Sequence, residues 1–469
     1  MDQKTEQITE QLSGQQDKRS GQRPGKLSGQ PPIPHAKAIF RLCAVLAFAI
    51  AVFGIVRHNL AAFGSLYLQS DDGDLYLSIA RNMLQNAHFI QTARPIKAFV
   101  VPPGLPAVTT LLLYVGRGSI KAVLAFQYAV YGAAAACMAV TALKLALNGM
   151  GRNRLAAVPW ALSVAAGAAV PVFYVWCSMR IRHPNPGFVL TENYVVFLIA
   201  LILWLVVSGA DLRKITVAAF VLTLFRPACS LLLVAVLLWL IAAAARNLIA
   251  KKKEIPQAES GKARLLASSP APHRINFYDV FVLLAVFACV IGINIGVNYV
   301  ETGEIIPLED YGNLDVFLAN NEKAGPDWYH SGKVPEFASM EYYKIADNGG
   351  LTRYEQNELA GEALKEYVRA NPQTVLHNAA VRFAKLFRET WGKVFWAFLA
   401  CLVLQLILRS LRWPQKIYVL LMALFLAVPP AFGLLVARYS APMLPLFIAL
   451  IVGTTGQLIC KLVTVSIEE

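Results

Sequence analysis

The chain has 469 residues, 57% of them hydrophobic, and its mean hydropathy of +0.50 excludes an ordinary soluble globular domain. Its net charge of +14 does not make a nucleic-acid surface, because the basic residues cluster beside apolar runs: Lys4, Lys18, Arg19, Arg23, Lys26 and Lys37; then Lys251, Lys252, Lys253, Lys262, Arg264 and Arg274; then Arg409, Arg412 and Lys416. That is where the positive-inside rule puts cations, so they fix orientation and meet anionic lipid.

In chain order, residues 1–37 open with a Gln-, Ser-, Gly- and Lys-rich stretch that lacks the apolar side chains needed to fold, and they read as a disordered cytoplasmic tail. Ala38–Val56 is the first run close to the ~20 apolar residues a bilayer requires. The outer loop 57–99 follows, with Asp71, Asp72 and Asp74 at once conspicuous. Carboxylates beside a bilayer are costly and mark functional sites, and one helix cap uses only one of them. From Leu75 the pattern is that of an amphipathic helix. Leu75, Tyr76, Ile79, Ala80, Met83 and Leu84 line one face and Ser78, Arg81, Asn82 and Gln85 the other, which suits a helix lying in the interface with its apolar side down. A Val101-Pro102-Pro103-Gly104 bend then opens the short run Val100–Val115.

Ala122–Leu147 and Leu155–Cys177 are the next apolar runs, and Glu192 stands at the outer start of Val189–Ser208. Asp72 and Glu192 share a side only if an even number of crossings separates them, so Val100–Val115 is expected to be re-entrant or broken. Thr216–Leu224 leads to Arg226-Pro227, an arginine too costly at a membrane edge unless it pairs or faces a polar cavity. Ala228–Ala245, the basic loop and Tyr278–Val297 come next. The outer region 299–388 is too long for a plain connector, and the spacing of Leu359, Leu364, Val368, Val375 and Phe383 predicts a helical cap over Glu341–Lys385. Trp391–Leu408, Tyr418–Leu435 and Ala441–Leu462 close the chain at 389–469, with Arg438-Tyr439-Ser440 as a polar island between the last two. All seven cysteines lie in apolar segments or at their ends, with no metal-like spacing. The expectation is an all-α polytopic membrane protein of about nine to eleven spanning segments, with interfacial helices in its first outer loop and a small helical periplasmic cap.

Taken together, Asp72, Tyr76, Ala80, Arg81 and Asn82, followed by Pro102-Pro103-Gly104, resemble the first outer loop of the GT-C membrane glycosyltransferases. The relatives in question are the dolichyl-phosphate-mannose protein mannosyltransferases and the bacterial aminoarabinose-lipid A transferases. The likeness continues through Leu190-Thr191-Glu192, Leu224-Phe225-Arg226-Pro227, Asn298-Tyr299 with Gly303 and Pro307, Gly312-Asn313-Leu314, Asn320-Asn321 and Arg438-Tyr439-Ser440-Ala441-Pro442. Two positions depart from the aminoarabinose transferases. Val101 stands where those carry a lysine before the Pro-Pro pair, with Lys97 further back, and Gly73 replaces the second acid of an Asp-Glu pair.

The resemblance implies a GT-C transmembrane module at 38–298 and transfer of a sugar from a polyprenyl-phosphate donor to a lipid, glycan or protein acceptor at the periplasmic face of an inner membrane. It makes Asp72 the base or the residue orienting the acceptor. Asp74 and Glu192 are supporting acids, and Asp71, Tyr76, Arg81, Arg226, Arg438 and Tyr439 are candidate substrate contacts. The chemistry agrees: a hydroxyl acceptor needs a carboxylate to take its proton, and a leaving phosphate needs cations, which guanidinium groups supply bidentately. A divalent cation among Asp71, Asp72, Asp74 and Glu192 is a candidate cofactor, since hard cations favour carboxylates. His330, in Asp327-Trp328-Tyr329-His330, is a weaker candidate from the cap. A secondary transporter would instead place polar residues near the bilayer midplane in paired repeats. A polymerase or ligase of lipid-linked saccharides would lean on the arginines rather than on Asp72.

Overall fold

The computed structural model describes residues 35–89, 100–148, 157–182, 184–252, 277–326, 338–408, 411, 413–433 and 437–468. The expected disordered tail 1–34, the basic stretch 253–274, Lys97 and His330 lie outside the described residues. Among those described are sixteen α-helices and no strand.

α1 (Ala36–Phe63) leads through a short turn to α2 (Asp71–Asn86), and the Pro-Pro bend leads to α3 (Gly104–Val115). α4 (Ile120–Asn148), α5 (Ala157–Ile181), α6 (Glu192–Ser208) and α7 (Leu212–Phe225) build the centre. A 3-10 turn at Pro227–Cys229 connects to α8 (Ser230–Lys252), and α9 (Phe277–Thr302) runs back. α10 (Gly312–Ala319), α11 (Met340–Ala346), α12 (Arg353–Ala370) and α13 (Pro372–Lys385) follow it. A π-turn at Leu386–Trp391 leads into α14 (Lys393–Ile407), and α15 (Trp413–Phe432), a 3-10 turn at Ala437–Met443 and α16 (Leu444–Glu468) complete the chain.

Six helices are long and apolar enough to cross a bilayer: Ala36–Phe63, Ile120–Asn148, Val158–Ile181, Phe277–Thr302, Gln415–Phe432 and Arg438–Leu462. Pro372–Arg388 and Lys393–Ile407 make a seventh only if joined across their 100° bend. Gly104–Val115, Glu192–Ser208 and Pro227–Ile241 are apolar but shorter. The chain is therefore an all-α polytopic membrane protein. Among the described residues the apolar runs of the sequence are helical, six or seven of them of spanning length and three shorter.

α4 is the hub. Its side chains are buried on nearly all faces, and Ala134, Ala135, Ala139 and Ala142 let α1, α5, α6 and α16 approach closely. Contacts between helix ends divide the bundle into two ends. At one, Gln415 at the start of α15 donates to the Val206 carbonyl at 2.8 Å, and Arg213 of α7 pairs with Asp279 of α9 at 3.4 Å. At the other lie Asp72, Glu192, Arg226 and Arg438, hereafter the site end. α3 stays there. Gly104 abuts Leu224 and Phe225, while Leu113 joins Leu77, Ala80, Val123 and Val189 in one cluster. Only α4 and α5 separate Asp72 from Glu192, and the parity problem is resolved.

That cluster also corrects the expectation for α2. Its buried face (Gly73, Tyr76, Leu77, Ile79, Ala80 and Asn82) is covered by protein, chiefly α3, instead of lying apolar side down on lipid. The cap matches the helical pattern of its sequence. Thr352 and Glu355 form a reciprocal capping box at the start of α12, and Ala360, Gly361 and Ala363 give α10 a flat surface to pack on. Buried Arg382 of α13 fastens this unit by donating to the carbonyls of Ala319 and Gly325 and to Asn320 Oδ1. Asn320 in turn donates to the Phe432 carbonyl at 2.7 Å. Asn320 and Asn321, which carry part of the resemblance, serve here as turn and docking residues.

Candidate active site

Ser70, rather than any aspartate, caps α2: its Oγ accepts from the Gly73 amide at 3.1 Å. The three aspartates in the first turn are thereby left to other partners, and they diverge. Asp71 is exposed. Asp74 accepts from the Tyr67 hydroxyl at 3.0 Å and from Gln69 Nε2 at 2.8 Å, which spends it on the preceding turn. Asp72 alone faces the bundle, where Arg438 Nη1 donates to its Oδ2 at 2.6 Å. Arg438 Nε stands 3.9 Å from Glu192 Oε1, so one guanidinium bridges two acids from separate helices. Glu192 is nearly sealed, its side chain 6% exposed, whereas Asp72 is 47% exposed and open to a ligand.

The helix start depends on a glycine. A Cβ at Gly73 would lie 2.7 Å from Ser70 Oγ and so crowd the cap, while it would meet the Val189 carbonyl at an ordinary 3.4 Å. The departure noted at this position thus leaves room for the cap. A buried amide network holds the same turn from below. Asn59 of α1 and Asn185 exchange hydrogen bonds at 2.7 and 2.8 Å, Asn59 also donates to the Tyr128 hydroxyl at 2.7 Å, and Asn193 donates to the Asn185 carbonyl at 3.3 Å. Asn59, Asn185 and Tyr128 satisfy one another, which stiffens the floor of the site.

Arg226 enters from the C-cap of α7, where the backbone turns extended at φ −149°. Its guanidinium lies 4.9 Å from the centre of the Tyr439 ring, and that of Arg438 lies 5.5 Å from the same ring. Arg226 Nη1 is buried with no hydrogen-bond partner, a state that calls for an anion or acceptor to complete it. The position of Arg226 is fixed by the Pro-Pro-Gly bend. A Cβ at Gly104 would sit 2.8 Å from the Leu224 carbonyl and 2.9 Å from the Phe225 ring, contacts that only glycine permits. Phe225 stacks on Tyr194 at 4.9 Å, tying the turn to α6. Tyr76, one turn after Asp72, is buried against these groups. Burial pushes its hydroxyl upward, and the nearby charges of Glu192 and Asp72 add to this.

The structure therefore brings together Asp72, Tyr76, Glu192, Arg226, Arg438 and Tyr439. It does not bring in Asp71, Asp74 or the exposed Arg81. Among the described residues no three His, Cys, Asp or Glu side chains stand where one cation would bind, so the four acids considered for a divalent ion do not converge.

Sequence reading missed a second acidic set, from the strap between α9 and α10. Burial pushes Glu309 up to about 7, with Asp315 adding and Tyr311 and Arg226 opposing. Burial pushes Asp310 up to about 7 and Asp315 up to about 6. Asp310 locks the strap to the bend: Val100 N donates to its Oδ1 at 3.2 Å and its own amide donates to the Val100 carbonyl at 3.3 Å. Upstream, Glu301 accepts from the Phe89 amide at 3.1 Å and pairs with His88 at 3.0 Å. The only sequence signal was the adjacent pair Glu309-Asp310 in a Gly- and Pro-rich stretch.

Comparison of the sequence with protein-family models and with curated proteins returns no match.

Proposed function

We propose that this protein is a membrane glycosyltransferase. It moves a hexose or pentose from a polyprenyl-phosphate donor to a lipid, glycan or protein acceptor, with the site end facing the periplasm or exterior of an inner (plasma) membrane. One observation carries the reading: carboxylates on α2 and α6 meet arginines from the α7 cap and the Ala437–Met443 turn, and the buried Arg226 Nη1 lacks a partner. Acids on one side and a guanidinium with an unbonded nitrogen on the other suit a reaction in which a hydroxyl loses a proton while a phosphate departs. Asp72, the more exposed acid, receives the acceptor as its base or orienting group. Arg226 meets the phosphate, and Arg438 holds the two acids in register. A single displacement inverts the anomeric centre.

The gathering of acids at one end of the bundle counts against a midplane transporter site. The ion pairing of Arg438 counts against a ligase that needs its arginines free. The test offers purified protein a panel of polyprenyl-phosphate hexoses and pentoses and follows release of polyprenyl phosphate by mass spectrometry. Wild type should release it from at least one donor, and Asp72→Asn should release it more slowly. Equal turnover by the variant overturns the assignment.

A further inference from the structure

We propose that Glu309, on the strap after α9, takes the proton from the incoming hydroxyl, while Asp72 positions the acceptor; this rests on the transferase reading above. Asp72 is already engaged: its Oδ2 accepts from Arg438 at 2.6 Å, which ties it to the Arg438–Glu192 cluster and suits it to positioning. Among the described residues, Glu309 makes no ion pair. Its carboxylate folds over the first turn of α10, so close that a Cβ on Gly312 would lie 3.0 Å from its Oε1. There it accepts from the Tyr311 side chain and feels the charge of Arg226, the candidate phosphate contact, while the next residue, Asp310, ties the strap to Val100 at the bend whose Gly104 abuts Leu224 and Phe225.

The groups that face Glu309 are known from each neighbouring element. Asp315 comes from α10, Arg226 from the α7 cap and Tyr76 from α2, with Asp310 and Tyr311 on the strap itself. Burial and then the charge of Asp315, against the opposing Tyr311 hydrogen bond and Arg226, leave a carboxylate with high proton affinity, and a value of about 7 suits a base working near neutral pH.

The step balances. The acceptor O–H gives its proton to a Glu309 oxygen, and the acceptor oxygen bonds to the anomeric carbon. The bond from that carbon to the phosphate oxygen breaks, and its electron pair leaves with polyprenyl phosphate, whose new charge lies beside Arg226.

The experiment measures the pH dependence of kcat/KM for the full-length protein, with whichever polyprenyl-phosphate sugar of the panel wild type turns over. Wild type should rise through an inflection near pH 7. Glu309→Gln should fall about 10²–10³-fold and lose the inflection. Asp72→Asn should slow the reaction and keep the inflection. Glu309→Asp, which guards against a misfolded amide variant, and Gly312→Ala, which crowds the carboxylate, should keep an inflection at reduced rate. If wild type turns over and Glu309→Gln keeps the inflection, or Glu309→Asp runs at full rate with an unshifted profile, this inference fails and the transferase reading stands. If wild type releases nothing from any donor, both fail.

Discussion

Gly104→Ala sets two effects of opposite sign against each other at one atom. Gly104 is the first residue of α3. Helix propensity alone says alanine there should stabilise, by at most about 1 kcal/mol. The packing says the reverse. The new Cβ would lie 2.8 Å from the Leu224 carbonyl and 2.9 Å from the Phe225 ring, well inside ordinary contact, and the oxygen belongs to backbone that cannot rotate aside. Overpacking of this kind costs about 1–3 kcal/mol, so the net change should be destabilising. The strain also falls on the residue pair just before Arg226. A misplacement of about 1 Å in a group of this kind costs on the order of 10²-fold in rate. The assay is thermal unfolding in detergent together with donor turnover, with Gly292→Ala as control. Gly292 lies inside α9 with nothing within 4 Å of its Cβ position, so that change should raise the unfolding midpoint slightly. A midpoint for Gly104→Ala at or above wild type, with turnover intact, would refute the argument that the bend sets the arginine.

Arg438→Leu should strand Glu192, which is nearly sealed; breaking a buried pair costs about 3–5 kcal/mol, and less here because Asp72 is 47% exposed. Adding Glu192→Gln should recover part of that loss in a double-mutant cycle, and a double variant no more stable than the single one would show the two uncoupled. Asp310→Asn keeps an oxygen for the Val100 amide while removing a buried charge. Between the ordinary 3.8 and about 7 the folded protein holds a proton that the unfolded chain has released, so stability falls as pH rises through that window and stays low above it. The whole difference is about 4 kcal/mol at about 1.36 kcal/mol per pH unit. The variant should therefore raise the unfolding midpoint more at pH 8 than at pH 5, and equal gains at both would contradict the assignment.

Much of this was legible in the chain because it depends on local periodicity. Asp72 and Tyr76 share a face of α2 by their spacing, and Arg81 falls off it, so geometry alone divides the acidic turn into one inward and two outward members. Arg226 and Arg438 announced themselves by their cost in apolar surroundings. The strap did not, because Glu309, Asp310 and Asp315 are ordinary acids in a polar region until α10 and the bend bury them. Gly73 looked like a lost acid because its role, room for the Ser70 cap, shows only once the start of α2 is fixed. The lengths of the apolar helices were less legible: α6 and α7 end at the Gly209 cap and at Arg226, where tertiary packing and not periodicity sets the stop.

The two carboxylates that grip Phe89 and Val100 have a consequence for the chain between those residues. Because Glu301 and Asp310 fix both attachment points, closing the intervening segment costs entropy that depends only weakly on its length, about 0.6 kcal/mol for each doubling. Insertions and deletions between these anchors can therefore accumulate at small cost to the fold and without moving Asp72 or Arg226.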